Sequence, residues 1–550
     1  MKSTVGSVAW AILLSLPWIA TGQTFQSLTT TDDGAVLYFS SVARLKGSGS
    51  TFNSKIFRWD AASGFQTWRE LREPGLFVPS PAGCTTSYSE FIAPQVSADG
   101  TVFAYRTALR IPPGTYCTGE PYQGVVERDG QEVRVPGQVA LSPNGRYLLT
   151  SSREATTNGY HVVTDLLSGL SGLVAGAFSG GTPYVTDEGA TLTGSSMALI
   201  VTDRYGGTRV LKTSRTVTSA AIDRTGKTVI YYTPVTLSQG NYGYGPSTLT
   251  SIDVASGQET TLARDLGLFE FAFTRDGQSV LYHDGRDLTE SGVDGSNPRR
   301  VGTGLRGMAV SGDGRVAYGS SLASNIARED LPAGTILELA APVPLLSAVY
   351  RYFDNNQTQP TTVAAAGSLT HLGGPYLLKP VDVTLCGRPI SQIPGPVTVR
   401  IRIPWDLPDG PCELVVSQPG SPFEHGLVVQ VQQYDPQFVP LGYAIGPLVH
   451  GNFSGPVVEQ SPAVAGEAVT AYFTGLGPVD NSGSLLRPGF TCRIADVAAE
   501  VLYAGAVPGT EGFYQVNLRV PMTGPRGTGQ VAVSCGWDES TRATGSTWVQ

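Results

Sequence analysis

A polar turn that ends in glycine recurs seven times between residues 31 and 314, each time before a short apolar segment. The turns are Thr31-Asp32-Asp33-Gly34, Ser97-Ala98-Asp99-Gly100, Ser142-Pro143-Asn144-Gly145, Thr186-Asp187-Glu188-Gly189, Asp223-Arg224-Thr225-Gly226, Thr274-Arg275-Asp276-Gly277 and Ser311-Gly312-Asp313-Gly314. The glycines lie 37 to 66 residues apart. Glycine supplies the positive φ that hairpin turns need, and Asp or Asn bonds to the local backbone. Each copy therefore predicts a hairpin between two short strands.

A second polar turn follows in most repeats and predicts the size of the repeating unit. The second turns lie at residues 59–64, 127–130, 165–169, 203–207 and 253–257. Two hairpins per repeat make a four-stranded unit, and a period of 40–50 residues is typical of β-propeller blades. The pattern predicts a seven-bladed β-propeller over residues 23–332, with six or eight blades as alternatives.

The repeats resemble TolB-like and WD-repeat-like propellers, whose blades carry Ser-x-Asp-Gly and then an apolar and an aromatic residue. Ser97-Ala98-Asp99-Gly100 followed by Tyr105 is one such copy, and the resemblance covers residues 25–330. The copy at Gly189 departs from the pattern, because residues 190–193 include no aromatic side chain. The resemblance implies a scaffold that many functions share, so it says little about chemistry.

The composition restricts the fold class and excludes several functions. Gly 67 and Pro 38 make up about a fifth of the 550 residues, and only 15% are charged. These values argue against helical bundles and coiled coils, and 41% hydrophobic residues argue against a disordered chain. An all-β protein remains. The net charge of −8, without a basic run, argues against a nucleic-acid partner.

The first 22 residues predict a secretory signal peptide. Lys2 is followed by an apolar stretch that ends at Ala20-Thr21-Gly22, and cleavage is expected near Gly22. The alternative is a membrane anchor, but Pro17 and the short span argue against it. No later segment is long and apolar enough to span a bilayer. We therefore expect a secreted or periplasmic protein without a membrane span.

The last 200 residues change to alternating apolar and polar residues separated by Pro and Gly. Residues 332–344 read as a linker, and Val397–Pro404 and Tyr514–Pro521 are typical of antiparallel sandwich strands. The run Pro462–Val479 resembles the Solibacter-type C-terminal domain family, and that resemblance covers residues 345–550. It implies two immunoglobulin-like modules, at residues 345–435 and 436–550, with no established activity.

Six cysteines follow the leader, and none forms a C-x-x-C pair that zinc or thioredoxin-type chemistry would use. Each predicted domain contains one consecutive pair, which predicts the disulfides Cys84–Cys117, Cys386–Cys412 and Cys492–Cys535. The alternative is that some of the six are buried free thiols. No metal and no cofactor are predicted.

Two stretched repeats contain the candidate binding residues. Long loops on a rigid β scaffold are common binding sites, and aromatic rings suit sugars or protein surfaces. The candidates are Tyr88, Phe91, Tyr231, Tyr232, Tyr242 and Tyr244. The alternative is that these rings only pack over the blade edges.

The chain contains neither a G-x-S-x-G nucleophile elbow nor an H-E-x-x-H zinc motif. We therefore predict a non-catalytic binding or scaffold protein of the bacterial cell envelope, whose propeller loops engage a glycan or a protein. The alternatives are a glycan-active lyase or hydrolase with paired carboxylates in the propeller funnel, and a purely structural spacer.

Overall fold

In the computed structural model of this protein, the chain divides into two compact units. The units are Met1–Pro342 and Val343–Gln550, so the boundary falls inside the predicted linker. The structure describes residues 26–48, 55–70, 94–108, 122–136, 138–151, 160–175, 184–195, 198–215, 217–233, 247–264, 271–283, 287–302, 305–320, 325–331, 333–341, 344, 346, 348–351, 360–374, 377, 380–393, 399–439, 447–510, 512–523 and 529–550.

The described part of the first unit contains seven four-stranded antiparallel sheets, each made of consecutive segments. In order, their strands are Gln26–Thr30, Val36–Ser41, Lys55–Asp60 and Gly64–Glu70; Gln95–Val96, Val102–Ala108, Tyr122–Arg128 and Gln131–Pro136; Gln138–Leu141, Tyr147–Ser151, Tyr160–Asp165 and Ser171–Ala175; Tyr184–Val185, Thr191–Ser195, Ala198–Thr202 and Thr208–Lys212; Ser219–Ile222, Thr228–Thr233, Thr248–Asp253 and Glu259–Arg264; Phe271–Phe273, Ser279–His283, Leu288–Gly292 and Arg299–Gly302; and Arg306–Val310, Val316–Ser320, Ile326–Asp330 and Thr335–Ala340. A two-residue strand, Arg44–Leu45, follows the second strand of the first sheet. We number the sheets one to seven in this order.

The seven sheets form a closed ring, which is the arrangement of a β-propeller. The first strand of sheet one lies beside the first strand of sheet seven, and a phenol links the same two sheets. The Tyr318 hydroxyl donates to the Gly34 carbonyl oxygen at 2.6 Å. Burial raises the pKa of Tyr318 to about 12, so the phenol keeps the proton that it donates. The contact between sheet one and sheet seven thus closes the ring.

The glycine of each recurring turn packs against the preceding sheet. A Cβ atom on the glycine would meet the neighbouring side chains in the pairs Gly34 with Val316, Gly100 with Thr31, Gly145 with Ser97, Gly189 with Tyr147, Gly226 with Thr186, Gly277 with Asp223 and Gly314 with Thr274. The closest approaches, 2.9 Å at Gly34, 2.8 Å at Gly145 and 2.6 Å at Gly277, leave no room for a Cβ atom, whereas at Gly100 and Gly226 the contact would be an ordinary one and the positive φ is what favours glycine.

The side chain of the first residue of each turn stabilises the turn by hydrogen bonds to later residues. Ser97, Ser142 and Ser311 are fully buried. The Ser97 Oγ accepts the Val102 amide at 2.9 Å and donates to the Asp99 carboxylate at 2.6 Å. One hydroxyl therefore satisfies a buried backbone donor and orients the turn carboxylate, as local side-chain hydrogen bonds do in such turns.

The first part of the second unit has two sheets around one core. One sheet contains Pro360–Thr361, Ala348–Arg351, Leu369–Gly373, Val399–Arg402 and Gln392–Ile393; the other contains Phe423–Gln432, Gly410–Ser417, Asp382–Leu385 and Arg388–Pro389, with Val363–Ala365 parallel to Phe423–Gln432. Apolar residues of both sheets, such as Ile401 and Leu414, belong to a single buried cluster. Alternation along Val399–Arg402 sends Val399 and Ile401 into this core.

The last part of the chain has a separate core. Its strands are Gln437–Phe438, Leu448–His450, Ala468–Thr474, Thr491–Ile494, Val497–Ala506, Tyr514–Arg519, Gly529–Gly536 and Arg542–Val549. The strand Val497–Ala506 pairs with Thr491–Ile494 through residues 497–499 and with Tyr514–Arg519 through residues 500–506, with a register shift between Val501 and Tyr503. Phe473, Tyr514 and Val533 meet in the core.

The described residues confirm the prediction of an all-β chain. Their helical content is a 3-10 turn at Glu539–Thr541. Among them, no helix has the length and apolarity needed to cross a membrane.

Two of the three predicted disulfides are present. Cys386 pairs with Cys412 and Cys492 pairs with Cys535, each within one core region. Cys84 and Cys117 lie outside the described residues.

We expect the two disulfides to differ in their reactivity towards reductants. Cys492 and Cys535 are 1% and 0% exposed, whereas Cys386 and Cys412 are only partly buried. Because exchange needs access of a thiolate to the sulfur, mild reductant should open Cys386–Cys412 first. Alkylation and peptide mapping after native dithiothreitol treatment would measure this order. Equal labelling of both pairs would contradict it.

Candidate functional site

The recurring turns meet at one end of the ring through their second residues. Backbone hydrogen bonds run from Asp32 N to Ala98 O (3.0 Å), Ala98 N to Pro143 O (2.6 Å), Asp187 N to Arg224 O (3.0 Å), Arg275 N to Gly312 O (2.6 Å) and Gly312 N to Asp32 O (2.8 Å). Pro143 has no amide hydrogen, and Asn144 N instead donates to Asp187 Oδ1 at 2.7 Å. The second residues of the turns therefore surround the axis of the ring.

Four of these second residues are charged and form a chain of ion pairs. Arg224 Nε lies 2.6 Å from Asp187 Oδ2, and its Nη1 lies 3.1 Å from Asp32 Oδ2. Arg275 Nε approaches the same Asp32 oxygen at 3.2 Å. The Arg224 side chain is 12% exposed, whereas that of Arg275 is 64% exposed. Arg224 is thus held by two carboxylates, while Arg275 extends towards solvent.

A cavity of about 580 Å³ opens beside this chain of charges. It is lined by Thr31, Asp32, Asp33, Val36, Tyr38, Arg58, Ala98, Asp99, Gly100, Arg275 and Asp313. Sheets one, two, six and seven all contribute, so the cavity exists only when the ring is closed. Its volume is in the range of small-molecule sites, and its lining is unusually polar for such a site.

The carboxylates of this cavity are fixed by their own turns. A hydrogen bond from the Thr31 hydroxyl, together with the Ala35 amide, lowers the pKa of Asp33. Partial burial opposes ionisation of Asp99, but hydrogen bonds from Ser97 and Thr101 outweigh it and lower the pKa of that carboxyl. Both side chains use Oδ1 for the turn. They are therefore ionised and oriented, with Oδ2 outside these turn contacts.

Two of the predicted binding residues lie in the interior. Tyr231 is 0% exposed and Tyr232 is 7% exposed. Both belong to Thr228–Thr233, the second strand of sheet five, and all six of its residues are buried because sheets pack on both of its faces. The Tyr231 hydroxyl donates to Glu259 Oε1 at 2.9 Å, and burial raises its pKa. The expectation that these two rings face a ligand is corrected: they pack within and between sheets.

The other four predicted binding residues, Tyr88, Phe91, Tyr242 and Tyr244, lie outside the described residues. Over the part of the chain that is described, no group of three or more His, Cys, Asp or Glu side chains is arranged to hold a metal ion.

The charged axial residues are not among the residues that the sequence predicts for a site. Asp32, Asp187, Arg224 and Arg275 look like variable positions inside turns, although their place in the turn is the same. The sequence feature that could have indicated them is that the second residue of the turn is acidic in some repeats and basic in others. The second residue of the seventh turn is Gly312, and a Cβ atom there would lie only 2.4 Å from Asp32 Oδ1, so glycine leaves room for that carboxylate.

Comparison with known proteins finds solved structures of similar fold but does not assign the chain to a family. No family model matches the chain, and no curated protein matches it. The resemblance of residues 345–550 to the Solibacter-type domains therefore stays a prediction.

Solved structures resemble parts of the chain at low identity. An oligogalacturonate lyase in complex with manganese is 14% identical, with a TM-score of 0.37 over 54% of this chain and 85% of that one. A putative TolB from Agrobacterium tumefaciens is 19% identical, with a TM-score of 0.27 over 38% and 82%. TolB from Acinetobacter baumannii is 14% identical, with a TM-score of 0.27 over 72% and 82%. The assignment of a propeller rests on the closed ring of sheets described above.

Proposed function

We propose that this chain is an exported, non-catalytic binding or scaffold protein of the bacterial cell envelope. Its architecture would be a seven-bladed propeller at residues 23–332 and two immunoglobulin-like modules at 345–435 and 436–550. The seven four-stranded sheets, and the two separate cores with one disulfide each, support this architecture. Disulfides persist in oxidising compartments, which supports the predicted export.

The proposal rests on the cavity of about 580 Å³ beside the axial ion pairs, which we call the axial cavity, and on its oriented carboxylates. Asp33, Asp99 and Asp313 each turn Oδ1 towards the backbone of their own turn. Ionised carboxylates accept hydrogen bonds only, so the remaining oxygens suit hydroxyl or ammonium donors of a glycan or a protein. Residues on three different turns would then bind one ligand without moving.

The test compares two aspartates that have the same turn chemistry but different positions. Asp99 lines the cavity; Asp276 makes the equivalent contacts in sheet six, to Thr274 and Gln278, and is not part of the lining. Asn144 already occupies this position in the third turn and accepts the same two hydrogen bonds. Asp→Asn substitutions therefore keep the turn and remove one charge.

We expect Asp99→Asn to weaken binding about tenfold, because a hydrogen bond to a charged group contributes about 1.5–3 kcal/mol. Asp276→Asn should leave binding unchanged. The full mature chain would be applied to an array of envelope glycans and to envelope protein fractions, and the affinity for each hit would be measured. Absence of any hit, or equal losses in both variants, would overturn the proposal.

The second candidate is a glycan-active lyase or hydrolase, favoured by the four aspartates around one cavity. Such chemistry needs a proton donor beside a base. Arg224 binds the carboxylates of both Asp32 and Asp187, and the pKa values of Asp33 and Asp99 are lowered rather than raised. We therefore expect no release of reducing or unsaturated ends from envelope polysaccharides. Turnover that disappears in Asp99→Asn would establish the enzyme instead.

A further inference from the structure

Apolar side chains are exposed on the outer turns of sheets three and four. Leu167 and Leu170 are 62% and 74% exposed on the turn after Tyr160–Asp165, and Tyr205 is 81% exposed on the turn after Ala198–Thr202. Together with Arg146 and Arg204 they form what we call the Arg204 patch. Single exposed apolar residues are ordinary, but a group beside arginines has the composition of binding surfaces.

The two turns are linked by a continuous series of contacts. Asp165 Oδ2 accepts from Arg146 Nη2 at 2.9 Å, and the Arg146 guanidinium lies 5.1 Å from the centre of the Tyr147 ring. The Tyr147 hydroxyl accepts from Arg204 Nη1 at 3.0 Å. Arg204 in turn lies 4.7 Å from the centre of the Tyr205 ring. One series of contacts therefore joins the two turns and holds Arg146, Arg204 and Tyr205 in place.

The two arginines of the patch differ in their charge balance. Arg146 is neutralised by Asp165. Arg204 donates to two phenol oxygens, of Tyr147 and Tyr205, and within the described ranges no carboxylate lies within ion-pair distance of it. A guanidinium has five N–H donors, so three remain for another group. A positive charge is thus held in place beside exposed apolar side chains on a chain whose net charge is −8.

We propose that the Arg204 patch is a docking surface for a protein segment in which a carboxylate is flanked by apolar or aromatic side chains. Charge complementarity selects the carboxylate, which would bind the remaining donors of Arg204. Leu167 and Leu170 select a protein over a glycan, because aliphatic side chains match apolar side chains rather than sugar hydroxyls. Stacking on Tyr205 orders Arg204 in advance, which reduces the entropy lost on binding.

This surface is distinct from the axial cavity. None of its five residues lines that cavity, and its chemistry calls for an acidic partner rather than a hydroxyl or ammonium donor. The two proposals can therefore fail separately.

A library of random peptides tests the docking surface, because it samples many combinations of acidic and apolar residues at once. Random dodecapeptides displayed on phage would be selected on the full mature chain. The selected sequences should contain Asp or Glu next to apolar residues, and synthetic copies should bind with a measurable Kd. We expect Arg204→Gln to weaken that Kd about tenfold or more, as for a central arginine in an interface. Leu167→Ser should weaken it by a smaller factor.

Arg299→Gln is the matched control. Arg299 is also an exposed arginine at a sheet edge, 71% exposed and paired with Glu290 at 2.7 Å on sheet six, and its substitution should leave the Kd unchanged. Unchanged melting curves of the variants would show that they are folded. The proposal is overturned if the selected peptides lack acidic residues, or if Arg204→Gln and Arg299→Gln act equally. It is also overturned if a polyuronate binds in an Arg204-dependent way and no peptide is selected.

Discussion

Replacing Gly34 by alanine should destabilise the propeller by about 3 kcal/mol. Two penalties combine at this position. The backbone has φ +64°, a conformation that costs a residue with a Cβ about 1–2 kcal/mol. The new Cβ would also lie 2.9 Å from Val316 Cβ and 3.0 Å from Ser311 Cβ, and overpacking of this kind costs about 1–3 kcal/mol. The second penalty falls on the contact between sheets one and seven.

Gly64→Ala is the control that carries the backbone penalty without the packing penalty. Gly64 lies in the same sheet with φ +69°, and nothing lies within 4 Å of its Cβ position. We expect it to cost only the backbone term, about 1 kcal/mol. Urea unfolding combined with hydrogen exchange at residues 26–41 and 306–320 would measure both variants. Equal losses in the two variants would mean that the contact with sheet seven contributes nothing to stability.

Gly367→Ala should have a larger effect, on the contact between the two cores of the second unit. A Cβ at Gly367 would lie 1.7 Å from Trp405 Nε1 and 2.8 Å from Tyr514 Oη, with φ +70°. Tyr514 is fully buried, and its hydroxyl donates to Gly477 O. Trp405 and the buried Tyr514 would both have to shift to admit the new Cβ, so we expect a loss of about 4–5 kcal/mol, at the upper end for single substitutions.

The experiment on Gly367 has its own matched control and a local signal. Gly420 has φ +76° and nothing within 4 Å of its Cβ position, so Gly420→Ala should cost about 1 kcal/mol. Trp405 provides the signal, because displacement of its ring changes its near-UV circular dichroism. A Gly367→Ala chain with a native Trp405 signal and the stability of Gly420→Ala would contradict the packing described here.

Local chemistry made the turns predictable. In the second turn, Ser97 binds Asp99 two residues later and the amide of Val102 five residues later. All of these contacts fall inside six consecutive residues, so residue types reveal them directly. The Cys386–Cys412 and Cys492–Cys535 disulfides join residues 26 and 43 apart, and they were predictable for another reason: each predicted domain contains one consecutive pair of cysteines.

The fourth turn shows where the pattern was informative in an unexpected way. The Gly189 copy differs from the other repeats because residues 190–193 lack an aromatic side chain. In the structure, Thr186 bonds to Ala190, four residues on, whereas Ser97 bonds to Val102, five residues on. The strand after Gly189 therefore begins pairing one residue earlier, and Leu192, which is 1% exposed, packs in the core at a position where sheet one has Tyr38.

The tyrosines of sheet five show why burial could not be predicted there. Tyr231 and Tyr232 were predicted as binding residues because they lie in a stretched repeat. Neighbouring residues of a strand point to opposite faces, so burial of both rings requires that both faces of the strand are covered. In the ring of sheets both faces are covered: Tyr231 joins a cluster with Leu211, and Tyr232 joins one with Tyr282. Which strands are covered on both faces depends on sheets far away in the chain.

Residue type and spacing along the chain were sufficient for the all-β class and the hairpin turns, because these depend on contacts between residues close in sequence. They were also sufficient for two disulfides, because each pair belongs to one predicted domain. The axial site depends on closure of the ring. Arg224 meets Asp32 across 192 residues, and Arg275 and Asp313 reach the same cavity as Asp99 only when sheet seven packs on sheet one. The Arg204 patch likewise joins two turns of different sheets. The sequence places these residues at equivalent turn positions but does not say which distant segments meet, and so only the tertiary structure decides these electrostatic and packing contacts.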